Sequence, residues 1–357
     1  MNRGHALIGG LLLAGLQACS SLGPSTLSQG RPAYNEAIAA TNSEQYLSWI
    51  VRLRYGLPTS QLAVSSITAG VRFSSTANVN VGVGPESNYL GNLVPLSGGV
   101  TYDENPTISY VPLQGEQYLR NLLSPVPMEL LGLLMNVAGQ PGAVLELMVR
   151  RVNGVPNVDF ITTTEQATDR RFEQLSAIVT RLSLADKLTF VESDGETKSF
   201  NLWLHDYLPD YDQDIRTLLE LLSIDGIVVD GGDIVLPVVN TVRRLTNQSI
   251  AIQTRSVVDI GRIAAASVDV PESDSEGGLT HRYPKPGLAG NSIHIRRAAE
   301  RPPTAAAATR FQDWWYYIAG DDVRSKTYFL LFGSLMSVQL SEAAGDSRAP
   351  VLTVPVN

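Results

Sequence analysis

The spacing of apolar residues shows where the chain changes from a helical to an extended pattern. Between Pro32 and about Tyr55, apolar residues recur at steps of three and four positions, which predicts a helix that ends before Gly56 and Pro58. Beyond it, strict alternation from Val71 to Val83 predicts a β-strand. Further helices are predicted over residues 114–123, 128–137 and 143–152, which the breakers SPVP and GQPG separate.

The alternating strand has two different faces, and this leaves its role open. Apolar or small residues share one face from Val71 to Val83, and residues that are mostly small and polar share the other. A second arm is predicted over Val100–Pro112, where Glu104 and Pro106 lie on the apolar face. Such a hairpin is long enough for an oligomeric pore or secretion subunit, since a strand crosses a bilayer in about 9–11 residues. Because a carboxylate and a proline disfavour a lipid-facing strand, we expect instead a half-buried periplasmic strand.

The second half of the chain alternates helices with short strands. Strands over residues 188–192 and 197–203 flank a predicted Asp-Gly turn, and a second hairpin is predicted around Asp230-Gly231-Gly232. Further strands are predicted over residues 250–253, 293–296, 313–318 and 351–356, and helices over 164–184, 210–222, 256–266 and 324–340. The predicted fold class is therefore α+β, with mixed helices and mainly antiparallel strands in one or two domains. We place an N-terminal region at residues 33–158, a C-terminal domain at 159–357, and a mobile loop at 271–290.

The first 18 residues have the features of a signal peptide. Arg3 precedes an uncharged apolar run from Ala6 to Gly15, which is too short to span a hydrocarbon core that needs about 20 helical residues. The run ends at Leu16-Gln17-Ala18-Cys19, and Cys19 is the single cysteine of the 357 residues. These four residues resemble the lipobox of bacterial lipoproteins, although Gln17 departs from the small residue that is usual there.

The lipobox resemblance implies that the chain is cleaved before Cys19 and that lipid is attached to this residue. Its sulfur would form a thioether to diacylglycerol, and its new amino group would be acylated. Serine rather than aspartate at position 20 implies export to the outer membrane of a Gram-negative cell. One acyl chain anchors a protein only marginally, at about 0.8 kcal/mol for each buried methylene, so several chains give a firm anchor. The alternative is an ordinary signal peptide followed by a buried free cysteine.

Composition and charge limit the classes of partner that the mature chain is expected to bind. Residues 19–32 are small and polar, which predicts a flexible tether between the lipid and the body. Removal of residues 1–18 takes away the positive charge of Arg3 and changes the net charge from −8 to −9. This net negative charge argues against a nucleic-acid partner. It also argues against a polybasic patch that would bind anionic lipid. A single cysteine also forms no intrachain disulfide.

The densest polar cluster is HDYLPDYDQD, residues 205–214. Asp210, Asp212 and Asp214 match the first half of a calcium-binding loop, whereas Ile215 and Leu221 stand where glycine and glutamate are required. The alternative is an acidic helix N-terminus. The histidines are too far apart for a helical zinc pair, and the sequence contains no nucleophile elbow, phosphate loop or dinucleotide motif. We therefore predict no cofactor.

An aromatic run, WWYYI at residues 314–318, alternates across a predicted strand, so that aromatic residues lie on both of its faces. Packing in the core is the favoured interpretation. The alternative is an exposed face that offers Trp314 and Tyr316 to a ligand or partner.

Several stretches of the body are similar to a poorly described group of Gram-negative lipoproteins. They are WWYYI, NPTISYVPLQGEQYLRNLLSP, SKTYFLLFGSLMSVQL and APVLTVPV, and the resemblance implies no activity. We expect a non-enzymatic binding or scaffolding component of an envelope assembly, which is anchored to the membrane through Cys19 and has an envelope protein as its partner. One alternative is an envelope hydrolase whose site combines distant residues such as His205, Asp206 and a serine. The other is the pore or secretion subunit described above.

Overall fold

The computed structural model describes residues 22–59, 61–79, 96–113, 116–137, 139–193, 199–229, 232–242, 246–346 and 352–355. The chain divides into two compact units. Unit 1 contains Met1–Thr59 and Leu122–Met336, and unit 2 contains Ser60–Asn121 and Ser337–Asn357. This division differs from the predicted boundary between residues 158 and 159.

Unit 1 is built around a six-stranded sheet in the order β4-β3-β9-β8-β7-β6. Its strands are β3 (Val149–Val152), β4 (Val155–Pro156), β6 (Leu188–Ser193), β7 (Ser199–Leu204), β8 (Ile234–Asn240) and β9 (Ile250–Thr254). All neighbours are antiparallel except β8 and β9, which are parallel. Alternate residues of β7, namely Phe200, Leu202 and Leu204, are buried, which is the pattern of a sheet that packs on one side. The predicted α+β class is confirmed.

Four helices pack against this sheet through apolar stripes. They are α3 (Met128–Val137), α4 (Pro141–Met148), α6 (Arg171–Leu184) and α7 (Gln213–Leu221), whereas the short helix α5 (Thr164–Thr168) buries no residue. The prediction of one helix over residues 143–152 is wrong in its last four residues, because Val149–Val152 pairs with β9. The predicted helix over 164–184 is interrupted at Asp169, whose carboxylate accepts hydrogen bonds from the backbone N–H and the guanidinium of Arg171.

The rest of unit 1 contains a three-stranded sheet, a two-stranded ribbon and further helices. The sheet has the order β11-β13-β12, and the ribbon pairs β5 with β10. The bounds are β5 (Phe160–Ile161), β10 (Lys285–Pro286), β11 (Arg296–Ala298), β12 (Ala305–Phe311), β13 (Trp314–Ala319), α1 (Leu22–Arg54), α8 (Val257–Ala266), α9 (Glu272–Glu276) and α10 (Val323–Asp346), which continues into unit 2. Ser256 and Asp259 cap α8 by a reciprocal capping box.

Three further sequence predictions differ from the structure in unit 1. Helix α1 begins at Leu22 and includes Pro32, so most of the predicted tether is helical. Segment 271–290, which we predict as a mobile loop, contains the short elements α9 and β10, and the backbone N–H of His281 donates to the carbonyl of Arg54. Residues 227–229 form no strand, and residues 230 and 231 lie outside the described residues.

Unit 2 contains a long hairpin of β1 (Gln61–Val79) and β2 (Leu96–Leu113), which pair in antiparallel register. A short strand, β14 (Leu352–Pro355), pairs with residues 107–110 of β2. Helix α2 (Glu116–Leu123) follows β2. The described strands pair as the predicted hairpin. Strand β1 begins before the predicted Val71, strand β2 extends past both limits of the predicted Val100–Pro112, and residues 80–83 of the predicted first strand lie outside the described residues. Among the described residues, no helix is both long enough and apolar enough to cross a membrane.

Candidate functional site

The candidate site is a cleft of about 480 Å³ in unit 1, which we call the Glu146 cleft. It lies between α4, α6 and the beginning of α10, and its volume is within the range of about 300–1,000 Å³ that is usual for ligand pockets. The polar side chains that line it include Glu146, Ser176, Thr180, Arg324 and Tyr328. Ala143, Ala177, Leu288 and Val323 add apolar wall. The cleft therefore combines apolar walls with a small convergent polar group.

The carboxylate of Glu146 is the centre of this polar group. Its Oε1 accepts a hydrogen bond of 2.7 Å from the Ser176 hydroxyl, and its Oε2 accepts one from the Tyr328 hydroxyl. Glu146 lies in the last turn of α4, where the helix dipole disfavours a negative charge. Only 12% of the Glu146 side chain is exposed, so water can do little to stabilise its charge. The two hydroxyl donors supply the stabilisation that the helix end does not.

Tyr328 is held as a permanent donor to this carboxylate. Burial raises the pKa of its hydroxyl, and the negative charge of Glu146 and the hydrogen bond to it raise that pKa further. The group therefore keeps its proton through the neutral pH range.

Arg324 is the loosest member of the group. Its Nη2 lies 3.6 Å from Oε2 of Glu146, which is beyond hydrogen-bond distance, and 59% of its side chain is exposed. It lines the same cleft as the carboxylate. A cation at the mouth of the cleft thus faces the carboxylate without being fixed to it.

Close packing of two helices shapes the wall of the cleft. At Gly142 of α4, a Cβ atom would lie 2.3 Å from Oγ1 of Thr180 and 2.6 Å from the carbonyl oxygen of Ser176. The backbone N–H of Gly142 instead donates to Oγ1 of Thr180 at 3.1 Å. Glycine is required here because α4 approaches α6 so closely.

A buried guanidinium fixes the end of α4 that carries Glu146. The side chain of Arg255 is fully buried, and its Nε donates to Asp159 at 2.7 Å. Its Nη1 donates to the carbonyl oxygens of Glu146 and Leu147, which lack partners within the helix. Burial lowers the pKa of Arg255, and the charge of Asp159 counteracts this shift. Arg255 therefore positions Glu146 through a hydrogen bond to the backbone of Glu146 and not through a contact with its side chain.

The predicted calcium ligands do not converge. Asp212 binds the ammonium group of Lys187, and Asp214 accepts hydrogen bonds of 2.7 and 2.8 Å from Arg181, whereas Asp210 is exposed. These hydrogen bonds lower the pKa of both Asp212 and Asp214. Each carboxylate thus has its own cation, and no metal-binding group of three acidic, His or Cys residues occurs in the part of the chain that the structure describes.

The predicted aromatic contact residues lie mainly in the core. Tyr316 is completely buried, and its hydroxyl lies 2.8 Å from that of Tyr55, which donates to Asp274. Trp314 is half-buried, and the guanidinium of Arg297 lies 4.1 Å from the centre of its ring. Tyr316 is therefore a packing residue rather than a surface for a ligand, and the ring of Trp314 already has a cationic partner.

His205 and Asp206, which we considered with a serine as hydrolase residues, do not come together as a Ser-His-Asp set. Nε2 of His205 lies 3.2 Å from the hydroxyl of Thr189, and its Nδ1 lies 3.7 Å from the carboxylate of Asp233. Asp206 reaches Asp233 only through its backbone N–H. A threonine replaces the expected serine, and the distance from His205 to Asp233 is too long for a hydrogen bond that would orient a general base. None of these residues lines the Glu146 cleft.

The sequence did not single out the residues of the Glu146 cleft. One signal was present, because Glu146 is the one charged residue in the helix PGAVLELM, and a lone carboxylate on an apolar helix needs a partner. The partners themselves are distant in sequence, at positions 176, 324 and 328. The predicted lipidation site, Cys19, lies outside the described residues.

Comparisons with known protein families, with curated proteins and with solved structures found no match to this chain.

Proposed function

We propose that the protein is an outer-membrane lipoprotein, anchored through Cys19, whose body binds a basic side chain of an envelope protein in the Glu146 cleft. The binding role is non-enzymatic. It makes the protein a binding or scaffolding component of an envelope assembly.

The observation that carries the binding role is the pairing of Glu146 with Arg324. A carboxylate that two hydroxyl donors hold in place is preorganised for a cation, because its orientation is already fixed before binding. Arg324 approaches the same oxygen atom from the mouth of the cleft at 3.6 Å and is largely exposed. A lysine or arginine of a partner can replace Arg324 with little loss, because Arg324 is largely exposed and makes no hydrogen bond to the carboxylate.

The anchoring role has separate support in the sequence. The lipobox Leu16-Gln17-Ala18-Cys19 follows a short apolar run, and Ser20 favours the outer membrane by its resemblance to lipoprotein signals. The net charge of −9 expected for the mature chain also suits a basic partner, since charge complementarity accelerates association.

The binding role is tested with two short peptides, capped at both ends, that differ only in the amino group of the central side chain. Saturation-transfer NMR of the mature protein compares an Ala-Lys-Ala peptide with its uncharged norleucine analogue. We expect saturation of the lysine peptide, loss of this signal in Glu146→Gln, and a stronger signal in Arg324→Ala, which removes the internal competitor. Glu220→Gln, on an exposed position of α7 outside the cleft, is the matched control and should bind like the wild type.

Two results contradict the binding role. The first is equal saturation of the two peptides, which means that charge is not recognised. The second is unchanged binding by the Glu146→Gln variant, which means that the lysine side chain of the peptide binds at another position.

A further inference from the structure

The sheet of β11, β13 and β12 has one buried face and one open face. On β13, Tyr316 and Ile318 are completely buried. Trp315 and Tyr317 point to the opposite face, because side chains alternate along a strand, and both are only half-buried. The aromatic residues that β13 offers to a partner are therefore Trp315 and Tyr317, each one position beyond the residues considered from the sequence.

The register of this sheet places an arginine beside each of the two rings. Directly paired residues lie on the same face of a sheet, so a row of paired residues shows which side chains are neighbours. The two rows across the open face are Arg296–Tyr317–Ala308 and Ala298–Trp315–Arg310. Each ring thus has an arginine on one side and a small alanine on the other.

A third arginine comes from the loop that joins β11 to β12. The guanidinium of Arg301 lies over the ring of Trp315, with its central carbon 5.5 Å from the centre of the ring. A guanidinium in this position keeps its N–H donors, which match a carboxylate or phosphate in a bidentate arrangement. Trp315 therefore orients Arg301 without using its donors. We call Arg296, Arg301, Arg310, Trp315 and Tyr317 the arginine face.

The arginines of this face have no acidic partner. Within the described part of the chain, the guanidinium groups of Arg296, Arg301 and Arg310 make no hydrogen bond and lie within 4 Å of no carboxylate oxygen. Asp322, whose charge interacts with Arg296 from a longer distance, instead accepts hydrogen bonds from the backbone N–H and the hydroxyl of Ser325. The donors of the three arginines therefore remain available to a ligand.

The arginine face is also a local exception in charge. Residues 296–310 contain four arginines and one glutamate, which gives this segment a net charge of +3, whereas the whole chain has a net charge of −8. An anion that approaches the protein is therefore attracted to this face and repelled by the rest of the surface.

We infer that the arginine face binds an acidic peptide segment of a partner protein in extended conformation. Carboxylates at alternate positions of the segment bind the arginines, and its intervening apolar groups contact Trp315 and Tyr317. This inference goes beyond the basic side chain proposed for the Glu146 cleft. It depends neither on that role nor on the lipid anchor.

The spacing of the face favours an extended peptide. Arg296 and Arg310 belong to rows that are two residues apart along β13, which is about 6.4–6.8 Å at the rise of a strand. Alternate side chains of an extended peptide repeat at the same distance. A membrane surface rich in anionic lipid is less favoured, because it would also repel the rest of this acidic chain, whereas a peptide segment contacts this face alone.

Two peptides with the same length and label allow a matched test. Fluorescence anisotropy of the mature protein compares capped Glu-Ala-Glu-Ala-Glu with capped Gln-Ala-Gln-Ala-Gln, both carrying the same uncharged coumarin label. We expect the glutamate peptide to bind about tenfold more tightly or better, because the arginines form charge-assisted hydrogen bonds with its carboxylates. The double variant Arg301→Gln/Arg310→Gln should lose this difference.

The control variant removes the same charge from another part of unit 1. Arg170→Gln/Arg171→Gln changes two exposed residues at the start of α6 and should bind the glutamate peptide like the wild type. Circular dichroism checks that both double variants are folded.

Three results overturn the inference. The first is equal binding of the two peptides by the wild type. The second is a double variant at positions 301 and 310 that binds like the wild type, or a control variant that loses as much affinity, since net charge alone would then explain binding. The third is displacement of the glutamate peptide by dihexanoylphosphatidylglycerol or inorganic phosphate as strongly as by the unlabelled peptide, which would assign the face to a phosphate group.

Discussion

The hydroxyl of Tyr328 donates a hydrogen bond to Oε2 of Glu146 and so joins two residues that are 182 positions apart. This contact ties the beginning of α10 to the last turn of α4 and closes one side of the Glu146 cleft. Since burial and the nearby carboxylate raise the pKa of Tyr328, the contact persists at neutral pH. The same bond therefore contributes both to the stability of unit 1 and to the shape of its cleft.

Removal of this hydroxyl should destabilise the protein. We expect Tyr328→Phe to lower the free energy of unfolding by about 1.5–3 kcal/mol, the usual value for a hydrogen bond to a charged group. Urea unfolding of the mature protein measures the change. Tyr211→Phe is the control, because its side chain is 83% exposed, and a change there should stay within about 0.5 kcal/mol. Equal effects at the two positions would show that the bond contributes nothing.

Two glycines in helices should respond to alanine with opposite signs. At Gly142 the new methyl group would overlap the Ser176 carbonyl and the Thr180 hydroxyl, so we expect a loss of about 1–3 kcal/mol. At Gly333 the nearest atom, in the ring of Tyr46, is 3.5 Å away, so alanine should add about 0.5–1 kcal/mol through its better helix propensity. Thermal unfolding of both variants tests the pair. A stabilised Gly142→Ala variant would mean that α4 and α6 are not in close contact.

Arg255 should be among the least replaceable residues of unit 1. Arg255→Met leaves the Asp159 carboxylate and the carbonyl oxygens of Glu146 and Leu147 without this donor. We expect a loss of about 1–3 kcal/mol or more, the cost of leaving a buried carbonyl oxygen without its donor, while Arg150 at 3.1 Å keeps the Asp159 carboxylate paired. Arg310→Met, at an exposed position of β12, is the control for the loss of an arginine. Chemical denaturation compares the two, and similar midpoints would contradict the role of Arg255.

The ion pair of Asp212 predicts a dependence of stability on pH. The hydrogen bond from Lys187, followed by that from the Leu208 backbone, lowers the pKa of Asp212 in the folded chain. Such a group adds stability above its unfolded pKa of about 3.9 and loses it as the pH falls through the lower folded value. The difference in unfolding free energy between the wild type and Asp212→Asn should therefore be largest near neutrality and vanish in acid. Asp210→Asn, at an exposed position, is the control, and a constant difference at every pH would refute the assignment.

Local pattern was sufficient to predict much of the fold. The predicted helix 128–137 agrees with α3, and Ser256 lies at the start of α8, where its side chain accepts the capping hydrogen bond. The antiparallel pairing of β6 with β7 agrees with the prediction from apolar alternation, whereas Asp194 and Gly195 of the predicted turn lie outside the described residues. The alternation of β1 was also informative, although its register with β2 required the structure.

The remaining differences come from contacts that act over long distances in the sequence. Val149–Val152 follows an apolar helix without a breaker, and it is the pairing with β9 that makes it a strand. Strand β12 contains four consecutive alanines, a poor strand signal, and pairing with β13 determines its structure. The polar group of the Glu146 cleft combines residues from three segments, and no spacing rule links positions 146, 176 and 328.

Metabolic labelling with palmitate, combined with membrane fractionation, tests the anchor at Cys19 most directly. We predict that the wild-type chain takes up the label and sediments with the outer membrane, and that Cys19→Ser is neither labelled nor processed and is lost from that fraction. An unlabelled wild-type chain, or a Cys19→Ser chain that is processed and fractionates like the wild type, would contradict the lipid anchor and with it the proposed place of the protein in the envelope.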